Sequence, residues 1–244
     1  MPFLCNSLNV LSQLKVLNNE CNIYNNGVHH ISLYVTEDYL NVTVHRTDHD
    51  GTLKELLRTN GGPWGESSVE TVITMWLTDV FGKYTINKLK DERCDDYREL
   101  IQNIISKKQH LSYNKTKKER FLIGNLLQYM QIIASSLDLT WHLEGMKLKD
   151  DAYINCGKLC VPAQVVRSWF DEPINKGIRH ISAVLAMPAM NDVDTILLVG
   201  EFAECPLVQE TIKEAFRNKR IVIPREPRDA VMKGAVLIGH QSYQ

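Results

Sequence analysis

The stretch DTILLVGEFAECP, Asp194 to Pro206, decides the fold. Its apolar run, Thr195 to Val199, predicts a strand covered on both faces, since a half-exposed strand alternates. Gly200 breaks the run, and Pro206 suits the first turn of a helix carrying Leu207, Val208, Ile212, Ala215 and Phe216. Strand, glycine turn and helix in this order is one way a backbone comes close to a bound anion. Glu201, directly after Gly200, sets a carboxylate at that place. Downstream, RIVIP from Arg220 predicts a short strand ended by Pro224. RDAVMKGAVLIGH, from Arg228, predicts a last helix in which Gly234 and Ala235 permit close packing.

Upstream, HHISLYV (His29–Val35), YLNVTVHRT (Tyr39–Thr47) and TLKELLRT (Thr52–Thr59) predict three strands in a meander. Val42 and Val44 alternate with Thr43 and His45, which predicts one apolar and one polar face, and Asp50-Gly51 supplies turn chemistry. GGPWGES breaks the chain, and a helix begins near Ser67 or Ser68. Val69, Val72, Ile73, Trp76, Leu77, Val80 and Phe81 recur at helical spacing, and Gly82 is a stop signal. From Lys83 to about Asp151 the chain is rich in Lys, Asp and Glu and reads as an inserted subdomain, mainly helical. Its basic segment SKKQHLSYNKTKKER has few interleaved aromatics, which favours a solvated face over a docking patch. A long helix follows through Val166, Phe170, Ile174, Ile178, Ile181 and Leu185, with Pro173 either kinking it or marking its start.

The 244 residues are 44% hydrophobic and 23% charged, with a net charge of -1, an ordinary globular balance. That balance gives no electrostatic case for nucleic acid or a membrane surface. No apolar run approaches the roughly 20 residues of a membrane span, and MPFLCNSLNVLSQLKV lacks the pattern of a signal peptide. Six scattered cysteines, with Cys156 and Cys160 in CGKLC lacking a second pair, favour incidental thiols in a reducing, cytoplasmic setting. The cluster His45, Asp48, His49, Asp50 is metal-capable in type but falls on a strand end and hairpin, so no metal ligand is assigned.

Together the elements run βββαβαβα around an insertion. VTVHRTDHDGTLKELLRTNGGPWGES and ILLVGEFAECPLVQETIKEAF with RIVIPREPRDAVMKGAVLIGH resemble the 70-kilodalton heat-shock proteins, specifically their divergent member-12 branch. The resemblance implies an actin-like ATPase fold, of which this chain is one ribonuclease-H-like half. Its core would be residues 29–82 and 164–244, its insertion 83–163, with 1–28 unassigned. In a complete domain of this family two halves enclose ATP and magnesium. No first-half phosphate loop appears in this chain, which leaves either a fragment of a longer protein or a truncated relative.

The resemblance also places the family's nucleotide elements on this sequence. Its acidic, glycine-rich phosphate loop falls on YVTEDYLN, Tyr34 to Asn41, where the glycines become Thr36, Glu37 and Asp38. Backbone N–H groups approach phosphate closely only where no Cβ intervenes, and two carboxylates repel it. The adenosine turn falls on Val199, Gly200, Glu201, Phe202, Ala203, Glu204, Cys205 and Pro206; the family's second glycine is Glu201 and its helix-capping serine is Cys205. A helix whose side chains surround adenosine aligns with Ile105, Lys108 and Gln109, keeping only Lys108. Gly61 and Gly62 match a backbone loop at the cleft floor, though a plain strand-to-helix turn is the favoured reading of them. The expectation is a heat-shock-protein-like, chaperone-related protein of the stress response. It has an ATP-binding fold but degenerate loops, no assigned catalytic residue, and unlikely hydrolysis by this chain. The alternative is a pseudo-ATPase kept as a protein-interaction or regulatory module.

Overall fold

Two runs of β-branched and aliphatic residues that cannot satisfy their backbone alone pair to start the fold. The computed structural model describes residues 29–35, 39–48, 53–114, 116–136, 147–230, 232–233 and 236. The assignments made above for residues 1–28, for Thr36–Asp38, for the Asp50-Gly51 turn and for most of the last helix lie outside these residues.

Strands β1 (His29–Val35), β2 (Leu40–Thr47) and β3 (Leu53–Gly62) form an antiparallel meander. β7 (Val193–Val199) joins β1 in parallel and β8 (Arg220–Val222) joins β7 in parallel, giving the mixed order β3-β2-β1-β7-β8. The chain is therefore a mixed α/β protein, and its apolar run at residues 195–199 is buried throughout.

The alternation in β2 holds in chemistry and fails in exposure. Val42 and Val44 are buried as expected, but so are Thr43 and His45, with His45 only 1% exposed. Alternating polarity reports which side chains share a face; it does not report whether that face meets water. Ser32 pairs with Thr43 across β1 and β2, so the buried polar stripe continues onto the neighbouring strand.

Helix α1 (Glu66–Phe81) starts one residue ahead of the serines and stops at Gly82, beyond which α2 (Lys83–Glu92) and α3 (Cys94–Ile105) follow. After a 3-10 turn at Ser106–His110 come β4 (Glu119–Leu122), α4 (Gly124–Ser136), β5 (Tyr153–Asn155) and β6 (Lys158–Val161). The last three strands pair antiparallel in the order β4-β6-β5. Among the described residues of 83–163, helices and a small sheet thus occur together. The CGKLC spacing is explained here: Cys156 and Gly157 form the two-residue turn between β5 and β6, Cys156 is exposed, and Cys160 is buried on β6.

Helix α5 (Ala163–Leu185) decides between the two readings of Pro173. Pro173 lies inside it and does not mark its start. Ten helical residues already precede the proline, and packing of Val166, Trp169 and Phe170 among them outweighs the roughly 3 kcal/mol that an interior proline costs. Helix α6 (Pro206–Ala215) begins at its proline as the sequence implies.

The chain divides into two compact units, 1–67 with 173–244, and 68–172. The cuts fall inside α1 and α5. Within the second unit the reason is visible: Trp76 of α1 packs on Trp169 of α5 at 5.2 Å between ring centroids, and Phe121 on Trp169 at 6.1 Å. The Trp76 indole N–H donates to Asp150 Oδ2 at 2.8 Å, tying α1 further into that unit.

Candidate functional site

In the first unit, the Gly200 turn and the Gly61-Gly62 pair lie at one end of the five-stranded sheet. Parallel β1 and β7 both end there, at Val35 and Val199, the end of an open α/β sheet where ligands commonly bind. Gly200 follows β7 with φ +102°, and a Cβ built on it would lie 2.2 Å from the Val35 carbonyl oxygen. Gly61 sits on the other side of the same hairpin end, where an added Cβ would lie 3.0 Å from the Leu40 carbonyl oxygen and from His180 Cδ2. Val35 and Leu40 are themselves cross-strand partners. Both glycines are therefore demanded by close packing against backbone, with no ligand needed to explain them. Gly62 packs against the Trp64 ring, and Trp64 meets His180 edge-on at 5.4 Å.

The turn itself is closed. Phe202 and Ala203 are 2% and 0% exposed, so neither offers a surface to a bound molecule. The Gly200 N–H donates to the Pro227 carbonyl at 2.8 Å, which brings the next residue, Arg228, beside the turn. There its guanidinium pairs with the Glu201 carboxylate. Both side chains are partly exposed, so the pair adds little stability, about 0–1 kcal/mol, but it fixes where the carboxylate lies. Sequence reasoning did not find Arg228, because no local spacing links it to Glu201.

The apolar face beneath these loops contains a hollow of about 30 Å³ between residues including Leu33, Val35, Leu40, Trp64, Gly177 and Phe202. That space would take no more than a methyl group or two, its apolar lining gives a water no partner, and it is far too small for a nucleoside.

Lys108 lies in the second unit, within Ser106–His110, and is only 6% exposed, so it is not an ordinary surface lysine. Of the other aligned positions Ile105 is buried and Gln109 exposed. The metal-capable cluster splits. His45 Nε2 faces Glu55 Oε2 at 3.9 Å, while Asp48 accepts a 2.7 Å hydrogen bond from Arg46 Nε. His49 and Asp50 lie outside the described residues, and among the described residues no group of three or more metal-ligating side chains forms.

No family model matches the chain. It is 28% identical to heat shock 70 kDa protein 12A of Mus musculus over 214 residues, 84% of this chain and 31% of that protein. The human 12A protein matches to the same extent. Human heat shock 70 kDa protein 12B is 26% identical over 218 residues, 82% of this chain and 30% of its own length. The chain is a relative of the member-12 heat-shock proteins. It spans about a third of the length of the curated relatives it matches. Among the described residues no helix is long and apolar enough to cross a membrane.

One difference from the heat-shock pattern has a measurable energy. Helix α6 has Cys205 at its N-cap and gains no side-chain capping bond from it. Cys205→Ser, which puts a hydroxyl in reach of the orphan N–H groups of the first turn, is expected to raise stability by about 1 kcal/mol. Urea denaturation reads this as a higher midpoint; an unchanged midpoint would mean the cap geometry is not reached.

Proposed function

We propose that the chain is part of a chaperone-related protein of the 70-kilodalton heat-shock type, acting in a cytoplasmic stress response. In this reading its five-stranded sheet is the ribonuclease-H-like half of an actin-like nucleotide-binding domain, with residues 83–163 as an insertion. Support comes from the meander β1 to β3 followed by parallel β7 and β8, together with the relatives named above.

The residues of the Gly200 turn do not fit a nucleotide. Gly200 faces the Val35 carbonyl, Phe202 and Ala203 are buried, and Glu201, held by Arg228, puts a side chain where the family has a glycine. No catalytic step is therefore assigned to this turn, and ATP with magnesium belongs to the fold's ancestry and not to the chemistry of these residues. The Glu201–Arg228 pair is the observation that favours the second reading, a pseudo-ATPase retained as a protein-interaction or regulatory module.

Calorimetric titration with magnesium–ATP tests it. The chain is expected to bind with a Kd weaker than about 1 mM, under about 4 kcal/mol of binding free energy. Glu201→Gly alone is expected to change nothing, because Thr36, Glu37 and Asp38 still stand where the family has glycines. Micromolar affinity in that single variant, about 8 kcal/mol, would overturn the reading.

A further inference from the structure

The second unit carries a positively charged concavity that the nucleotide fold does not account for. Lys107 in the 3-10 turn, Lys117 and Lys118 ahead of β4, and Arg120 on β4 surround a hollow of about 610 Å³, lined in part by Tyr153 of β5. Arg120 and Tyr153 lie in one row across the sheet, each opposite Cys160 of the central strand β6. The small antiparallel sheet thus presents one face on which cations converge.

Several charges elsewhere in this unit are balanced locally. Lys88 pairs with Glu92 at 3.1 Å, Arg93 with Asp96 at 2.6 Å and Arg98 with Asp95 at 3.1 Å, all within one helical turn. The concavity is different. Glu119, the carboxylate residue lining it, is only 6% exposed, and nearby Asp151 is held by Lys147 at 2.6 Å. Among the described residues no ion pair neutralises Lys107, Lys117, Lys118 or Arg120. Four like charges around one hollow repel each other, a cost that a bound anion removes.

We propose that this sheet face docks an acidic segment of a partner protein. The chemistry favours carboxylates over a nucleic acid strand. Single strands are held by bases stacking on open aromatic faces, and the one ring lining the hollow is covered by the Lys118 ammonium, 4.6 Å from the Tyr153 ring centroid. Three of the four cations are lysines, compact and flexible point charges that can each meet a separate carboxylate. The binding is electrostatic and therefore falls with salt.

Fluorescence anisotropy with the intact chain tests this, using a fluorescein-labelled peptide of alternating Glu-Asp pairs and glycines, and a labelled oligothymidylate of equal charge. The peptide is expected to bind, with affinity falling about tenfold or more in Lys117→Glu/Lys118→Glu and at raised salt. Lys88→Glu, a reversal on α2 away from the lining residues, is expected to stay within about twofold. Far-UV circular dichroism of the double variant checks that it is folded. No peptide binding, or binding indifferent to the double reversal in a folded variant, overturns the proposal. So does oligothymidylate binding more tightly than the peptide and lost on the same reversal, since the face would then be a nucleic-acid site.

Discussion

Gly200→Ala is expected to destabilise the protein by about 4 kcal/mol or more, enough to leave much of the chain unfolded at ordinary temperature. Two costs combine. The φ of +102° is one that L side chains rarely adopt, and strain of that kind is worth about 1–3 kcal/mol. The new methyl group would also stand 2.2 Å from the Val35 carbonyl oxygen, with its carbon at 2.9 Å, so relief requires moving a central strand. Gly82→Ala separates these costs: its φ is +88°, but a Cβ there meets nothing within 4 Å. It is expected to lose only about 1–2 kcal/mol. Urea midpoints of the two variants decide the matter, and equal losses would show that the contact with Val35 carries no weight.

The second large effect is on pH dependence. Burial holds the His45 imidazole down at a pKa of about 4, against 6.5 for an exposed histidine; the Glu55 carboxylate pulls it up and the Arg58 guanidinium pushes it down. Arg58 is bound to both Glu55 oxygens, at 2.6 and 3.2 Å, which weakens what Glu55 can offer the ring. Between pH 6.5 and 4 the unfolded chain binds a proton at this residue and the folded chain does not. Stability therefore falls as pH drops through that window, by up to about 3 kcal/mol in all. His180, whose pKa burial also lowers, acts in the same direction. Comparison with His45→Gln isolates the His45 share: its denaturation midpoint should fall less steeply from pH 6.5 to 4. Parallel slopes for the two proteins would refute the assignment.

Both effects rest on contacts that the sequence conceals. Gly200 is visible as a strand-ending glycine, but the carbonyl that demands it is 165 residues upstream on the adjacent strand. Glu201 is visible as a misplaced carboxylate; its partner Arg228 is brought in by a backbone bond from Gly200 to Pro227. By contrast β7, β8, α6 and the β1–β3 meander are legible, because continuous or alternating apolar runs ended by Gly or Pro specify local structure directly. The strands β4, β5 and β6 were missed because runs of three or four residues among lysines and aspartates carry no usable period. Pro173 misleads by local rule, and only the packing on both sides of it keeps α5 continuous.

The order β3-β2-β1-β7-β8 also has a bearing on how the protein avoids its own kind. Among the described strands the sheet ends on β3 at one side and β8 at the other, and an open strand is a template for a second molecule. β3 carries exposed Lys54 and Glu55 and an exposed Asn60 along its length. β8 is only three residues long, opens with exposed Arg220, and is closed off two residues later by Pro224, which has no N–H to lend. Charge on one margin, and brevity with a proline on the other, leave the most aliphatic strands, β1 and β7, in the interior of the sheet. The residues most prone to fibrous stacking are thus kept from meeting copies of themselves.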